Sequence, residues 1–139
     1  MSSGTLCIKP KKLMDSEIKV LIVDDDDVIL FLHELMIRDS GLSQDTTSFL
    51  TAQAALDHLC AHRDGEEQFL VFLDINMPGI TGWDFLEKLR EGPCRDRVSV
   101  VLVSSSIDSA DHRKAATFPA VLEYIEKPLS LEACARIHE

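Results

Sequence analysis

No apolar run in this chain approaches the roughly 20 residues that a membrane-spanning helix needs, and no apolar signal-peptide core follows its start. The expectation is a cytoplasmic protein. Basic residues are also scarce: 14 Lys and Arg stand against 24 Asp and Glu, a formal net charge of −10. Nucleic-acid domains show a concentrated basic face, so DNA, RNA and anionic lipid are poor partners, whereas proteins, cations and small phosphodonors fit. Cys7, Cys60, Cys94 and Cys134 lie far apart with no C-x-x-C pair, which removes local support for zinc or dithiol chemistry. His58 and His62 stand one helical turn apart, the spacing of two metal ligands. The sequence places no third ligand with them, and Asp57, Arg63 and Asp64 give the stretch the character of a solvated face.

What the chain does have is a set of short apolar runs, each ending on a polar residue. Asp24 and Asp25 follow Val20-Leu21-Ile22-Val23, Asp74 follows Phe69-Leu70-Val71-Phe72-Leu73, Ser104 follows Val98 to Val103, and Lys127 follows Val121 to Glu126. Runs this short, rich in Val, Ile and Phe, read as parallel strands buried on both faces. Between them lie helix-like stretches: Val28 to Arg38 closed by Gly41, Thr51 to about His62 with Thr51 as N-cap, Trp83 to Arg90 ended by Gly92-Pro93, Asp108 to Thr117, and Leu129 to Ile137. Thr46 to Leu50 makes a weaker second strand. Strand and helix alternate throughout, so the fold class is α/β, a doubly wound parallel sheet with helices on both faces. The 139 residues fit one domain. Residues 1–17, polar and without periodicity, are expected to be a loose leader, and residues 18–139 the domain.

Polar residues that follow parallel strands share the rim outside the strands' carboxyl ends, where open α/β sheets bind ligands. Asp24 to Asp27 are four carboxylates in succession, and charges that close repel unless a cation compensates. Asp24 and Asp25, on the strand end, suit magnesium, which takes a few hard oxygen ligands and keeps several waters. Asp26 and Asp27 suit the positive end of the helix beginning near Val28. A calcium EF-hand is excluded, because the twelfth position from each aspartate is Leu35, Met36, Ile37 or Arg38 instead of Glu. Asp74, on a rigid strand but opening into a Pro/Gly loop, suits a nucleophile that attacks phosphorus and forms an acyl phosphate. That attack brings anions together, which a metal, the Lys127 ammonium and a Ser104 hydrogen bond would offset.

Taken as an ordered set, Val23-Asp24-Asp25, Asp74-Ile75-Asn76-Met77-Pro78-Gly79 with Gly82, Val103-Ser104-Ser105 and Tyr124-Ile125-Glu126-Lys127-Pro128 resemble the receiver domains of two-component response regulators, over about Ile18 to Ile137. The resemblance implies a flavodoxin-like five-stranded parallel sheet of order 2-1-3-4-5. It implies that Asp74 is the phosphoacceptor for a sensor histidine kinase or histidine phosphotransfer protein. It further implies that Asp24, Asp25 and the main-chain carbonyl of Asn76 bind Mg2+ or Mn2+. Ser104 and Lys127 would contact the phosphoryl group, Tyr124 would turn inward behind Ser104, and the Lys127-Pro128 peptide would be cis. The movement would reshape the face of helix 4, strand 5 and helix 5 toward a downstream protein, with no turnover of a separate substrate.

Two positions depart from the family pattern. Ser104 keeps the hydroxyl of the more frequent Thr but lacks its methyl, which bears on switching rather than on phosphorylation. Ser105 replaces a small residue, often Ala, and leaves access open. A haloacid dehalogenase-like phosphatase uses similar groups, but there the nucleophile comes first, in a D-x-D motif, and the acidic pair last. Here the pair comes first and position 76 is Asn. An inert receiver-like interaction module is the other alternative, and its mark would be loss of Asp74, Lys127 or the acidic pair.

Overall fold

The computed structural model describes residues 18–43, 45–62, 64–65, 67–77, 79–92, 95–105, 108–127 and 129–138; the expected leader, residues 1–17, lies outside them. Strands β1 (Lys19–Val23), β2 (Thr46–Phe49), β3 (Phe69–Asp74), β4 (Val98–Ser104) and β5 (Val121–Glu126) alternate with helices α1 (Asp27–Asp39), α2 (Ala52–Ala61), α3 (Gly82–Glu91), α4 (Ser109–Ala115) and α5 (Leu131–His138). All four strand pairings are parallel, in the order β2-β1-β3-β4-β5. Among the described residues no helix is long and apolar enough to cross a membrane.

Strand alternation divides the core in two. Leu21, Val23, Val71, Leu73, Val100 and Leu102 face α2, α3 and α4, whereas Val20, Ile22, Leu70, Phe72, Val101 and Val103 face α1 and α5. Every residue of β3 is buried, and burying one such Phe, Val or Leu is worth roughly 1.5–3 kcal/mol. Helix ends follow the sequence signals. The Asp26 carboxylate accepts the N–H groups of Val28 and Ile29 and caps α1, so it serves the helix rather than the rim. Past the other end, Gly41 takes φ +82° and its N–H donates to the Arg38 carbonyl, a left-handed closure that favours glycine.

The structure departs from the sequence reading at the margins. Strands β2 and β5 are edge strands and only partly buried, unlike β1, β3 and β4. Helix α4 is seven residues long, ending at Ala115 rather than Thr117. Helix α5 begins at Leu131, leaving Leu129 buried in the segment before it. A 3₁₀ turn, Arg95–Arg97, leads into β4 and has no periodic signature in the sequence.

Candidate functional site

Local backbone geometry separates the two acids that end β1. The N–H of Asp24 donates to the Phe49 carbonyl at 3.1 Å, which ties the strand exit to β2. Its Oδ1 accepts the Asp26 N–H at 3.0 Å in an Asx turn. Asp24 is therefore buried, while Asp25, one residue on, is exposed.

Asp74 is the last residue of β3 and is buried; its Oδ1 accepts the Asn76 N–H at 3.2 Å. The loop that follows is closed by the Gly82 N–H donating to the Ile75 carbonyl at 2.9 Å. Thr81 and Asp84 then cap α3 reciprocally, each side chain taking the other's backbone N–H. Gly82 has no room for a side chain, since a Cβ there would stand 2.7 Å from Ile75 Cα and 2.8 Å from the Asp74 carbonyl oxygen. Both are backbone atoms and cannot swing away. Gly82→Ala is expected to cost about 1–3 kcal/mol, the usual scale of overpacking; a urea midpoint equal to that of the wild type would refute this close approach.

Beyond β5, the Lys127 N–H donates to the Ser104 carbonyl at 2.8 Å, so β4 positions the residue. Its ammonium lies 2.8 Å from Asp24 Oδ2 and 3.5 Å from Asp74 Oδ2. Asp24, Asp25 and Asp74 each bring one carboxylate oxygen within 4.8 Å of the others. Ser104 ends β4 fully buried, and Ser105 after it is exposed. Tyr124, on β5 and half-buried, packs its ring against His112 of α4, tilted by 33° with centroids 3.9 Å apart. Asn76 is exposed beside Asp74, and Pro128, expected in cis, lies outside the described residues.

Burial, and then the neighbouring Asp24 charge, raise the Asp74 pKa above the ordinary carboxylate value against the pull of Lys127. Burial also opposes the charge on Lys127, yet the hydrogen bond and charge of Asp24, together with Asp74, lift its pKa above that of an ordinary lysine. One ammonium thus serves two buried carboxylates, with Asp25 adding a third acid. His33, buried on α1, does not redress the balance, because burial lowers its pKa and keeps the ring neutral. This surplus of hard oxygen donors fits a divalent cation of the magnesium class.

The strand order and the acidic rim at the β1/β3 switch point define a flavodoxin-like α/β domain with a carboxylate cluster at the edge where such sheets bind ligands. The response regulator receiver domain profile matches residues 20–137, and the chain belongs to that family. It is similar to the two-component response regulator ARR22 of Arabidopsis thaliana, with 35% identity over 131 residues that cover 93% of this chain and 87% of that protein. The cell cycle transcriptional regulator CtrA of Caulobacter vibrioides is 30% identical over 122 residues, but the chain spans only 48% of its length. Among solved structures, a two-component response regulator from Cytophaga hutchinsonii superposes with a TM-score of 0.79 at 31% identity, covering 87% of this chain and 93% of the other.

Proposed function

We propose that Asp74 is the phosphoacceptor of this receiver and that Asp24, Asp25 and the main-chain carbonyl of Asn76 hold Mg2+ or Mn2+ beside it. The observation that carries this reading is the convergence of the three carboxylates within 4.8 Å, with the Lys127 ammonium against two of them. A carboxylate oxygen of Asp74 attacks phosphorus, the O–P bond forms as the P–N bond of a phosphohistidine breaks, and the electron pair leaves with the imidazole nitrogen. A cation held by Asp24, Asp25 and the Asn76 carbonyl would supply positive charge to offset that of the transferring oxygens. Lys127 adds its ammonium, Ser104 a hydroxyl hydrogen bond, and the short exposed side chain of Ser105 leaves the approach open. Magnesium removal tests this directly: labelling by acetyl phosphate is expected to vanish in chelator and return with added Mg2+. Equal labelling in both conditions would contradict the metal assignment.

The product is a stored signal rather than a turned-over substrate. Phosphorylation biases an existing two-state equilibrium through contacts made only in the active state. Inward rotation of Tyr124 toward Ser104 would break its ring contact with His112, loosening α4 from β5. The α4, β5 and α5 face is thereby the surface offered to a downstream protein. The family match and the motif order stand against the phosphatase alternative, and the complete acid–lysine set stands against an inert module.

Helix α1 is the surface on which the phosphodonor docks in this account. Val28, Phe31, Leu32 and Leu35 recur at helical spacing and are exposed, Val28 and Phe31 by about 60%. The stripe begins directly after the acidic cluster, so a protein that presents a phosphohistidine to Asp74 lies across it. Phe31→Glu is expected to slow transfer from a phosphorylated histidine phosphotransfer domain by about tenfold, the effect of losing one apolar anchor, and to leave labelling by acetyl phosphate unchanged. Equal loss with both donors would assign Phe31 to the fold instead.

A further inference from the structure

The opposite end of the sheet carries a second cluster of metal-ligating groups. Helix α2 runs back toward the strand starts, and its last turn and the cap residue after it set His58 and His62 beside Glu67, which precedes β3. All three line one cavity of about 200 Å³, together with Lys19 and Asp45. The sequence supplies the two histidines at ligand spacing, and the fold adds the acid.

Three observations make these groups ligands in waiting. His62 Nδ1 lies 2.8 Å from the His58 carbonyl and, facing an acceptor, carries the proton, which leaves the Nε2 lone pair available. Glu67 Oε1 is buried with no hydrogen-bond partner among the described residues. Arg97 donates to the Glu67 carbonyl at 3.0 Å and to the His62 carbonyl at 3.1 Å, so one guanidinium pins both ligand-bearing segments. Asp45 is already paired with Lys19 at 2.6 Å and is not counted.

We propose that His58, His62 and Glu67 form a second metal site, selective for a borderline ion such as Zn2+ over Mg2+, with water completing a tetrahedral set. Binding requires side-chain rotation. Among the described residues only the acidic rim brings three ligand atoms within 4.8 Å, and the two imidazoles lie against each other, tilted by 34° with centroids 4.4 Å apart. The cavity volume is several times the roughly 30 Å³ share of a water molecule, which leaves space for the rings and carboxylate to turn. An ion there would fasten the end of α2 to the entry of β3, far from Asp74, and stabilise the fold by binding the native state alone.

The test is Zn2+ titration by calorimetry in saturating Mg2+, which occupies the rim, on wild type, His58→Gln, His62→Gln, Glu67→Gln and Asp74→Asn. A single Zn2+ is expected to bind wild type and Asp74→Asn alike and to raise their melting temperature. Each of the other three variants is expected to bind it at least about tenfold more weakly, given that even groups outside the ligand shell act on that scale. Retained Mg2+-dependent labelling by acetyl phosphate establishes that those three variants are folded. Undiminished affinity in either histidine variant or in Glu67→Gln overturns the three-ligand site. Loss of Zn2+ binding in Asp74→Asn places the ion in the rim and overturns it equally.

Discussion

Asp74→Asn is expected to abolish phosphoryl uptake and at the same time to raise the stability of the metal-free protein at neutral pH. The first effect follows from chemistry, because an amide oxygen is a far poorer nucleophile than a carboxylate. The second follows from the charge balance at the rim. Lys127 stays paired with Asp24 at 2.8 Å when Asp74 loses its charge, and the amide oxygen can still accept the Asn76 N–H. Burial, and next Asp24, raise the Asp74 pKa in the folded state, so the folded chain holds that proton more tightly than the unfolded one. The stabilising contribution is then complete below the unfolded value and is lost as pH rises through the folded value. Calorimetric melting in chelator should therefore show the variant above the wild type at neutral pH and level with it in acid. A variant that melts below the wild type at neutral pH would contradict this electrostatic account, whatever its labelling.

The opposite substitution should be costly. Lys127→Met keeps an apolar stem but leaves Asp24 and Asp74, whose side chains are 2% and 6% exposed, without their common cation. Breaking a buried ion pair by removing one partner typically costs about 3–5 kcal/mol, and that range is expected from urea denaturation in chelator. Mg2+ should restore part of the loss, since a cation that binds only the native state replaces the missing charge. The folded pKa of Lys127 is raised, although burial works against it, by Asp24 and then Asp74. Its contribution therefore persists through neutral pH and fades only in alkali, as pH passes the raised value. A loss under about 1 kcal/mol, the scale of an exposed pair, or one indifferent to Mg2+, would contradict the account.

The inner strands and the rim were legible because one physical signal served both. A strand buried on two faces must be continuously apolar, so the polar residue that stops it marks the carboxyl edge; Asp24, Asp74 and Ser104 declared themselves in this way, whereas Lys127 follows the partly buried β5. Asp26 and Gly41 were legible for local reasons, one as a capping side chain and the other as a left-handed closure. The edge strands were less so, since three of the four residues of β2 are Thr or Ser and the strand owes its place to the register that pairs Val20 with Thr46. What the sequence hides is contact across elements. The approach of Gly82 to the backbone of Asp74 and Ile75, the Arg97 fork joining the end of α2 to the entry of β3, the burial of His33 and the ring contact of His112 with Tyr124 all depend on segments brought together only by the sheet. Glu67 belongs to the same group: in sequence it is one acid of a polar turn, and only the return of α2 to the strand starts places it beside His58 and His62.

Intact-protein mass spectrometry after incubation with acetyl phosphate and Mg2+, followed by borohydride reduction and peptide mapping, tests the central assignment most directly. Borohydride cleaves an acyl phosphate reductively and leaves a mark on the residue that carried it. The account predicts a single added phosphoryl group, formed only with the divalent ion, and a reduction mark confined to Asp74. A mark on any other residue, or an adduct formed equally well without the ion, would contradict it.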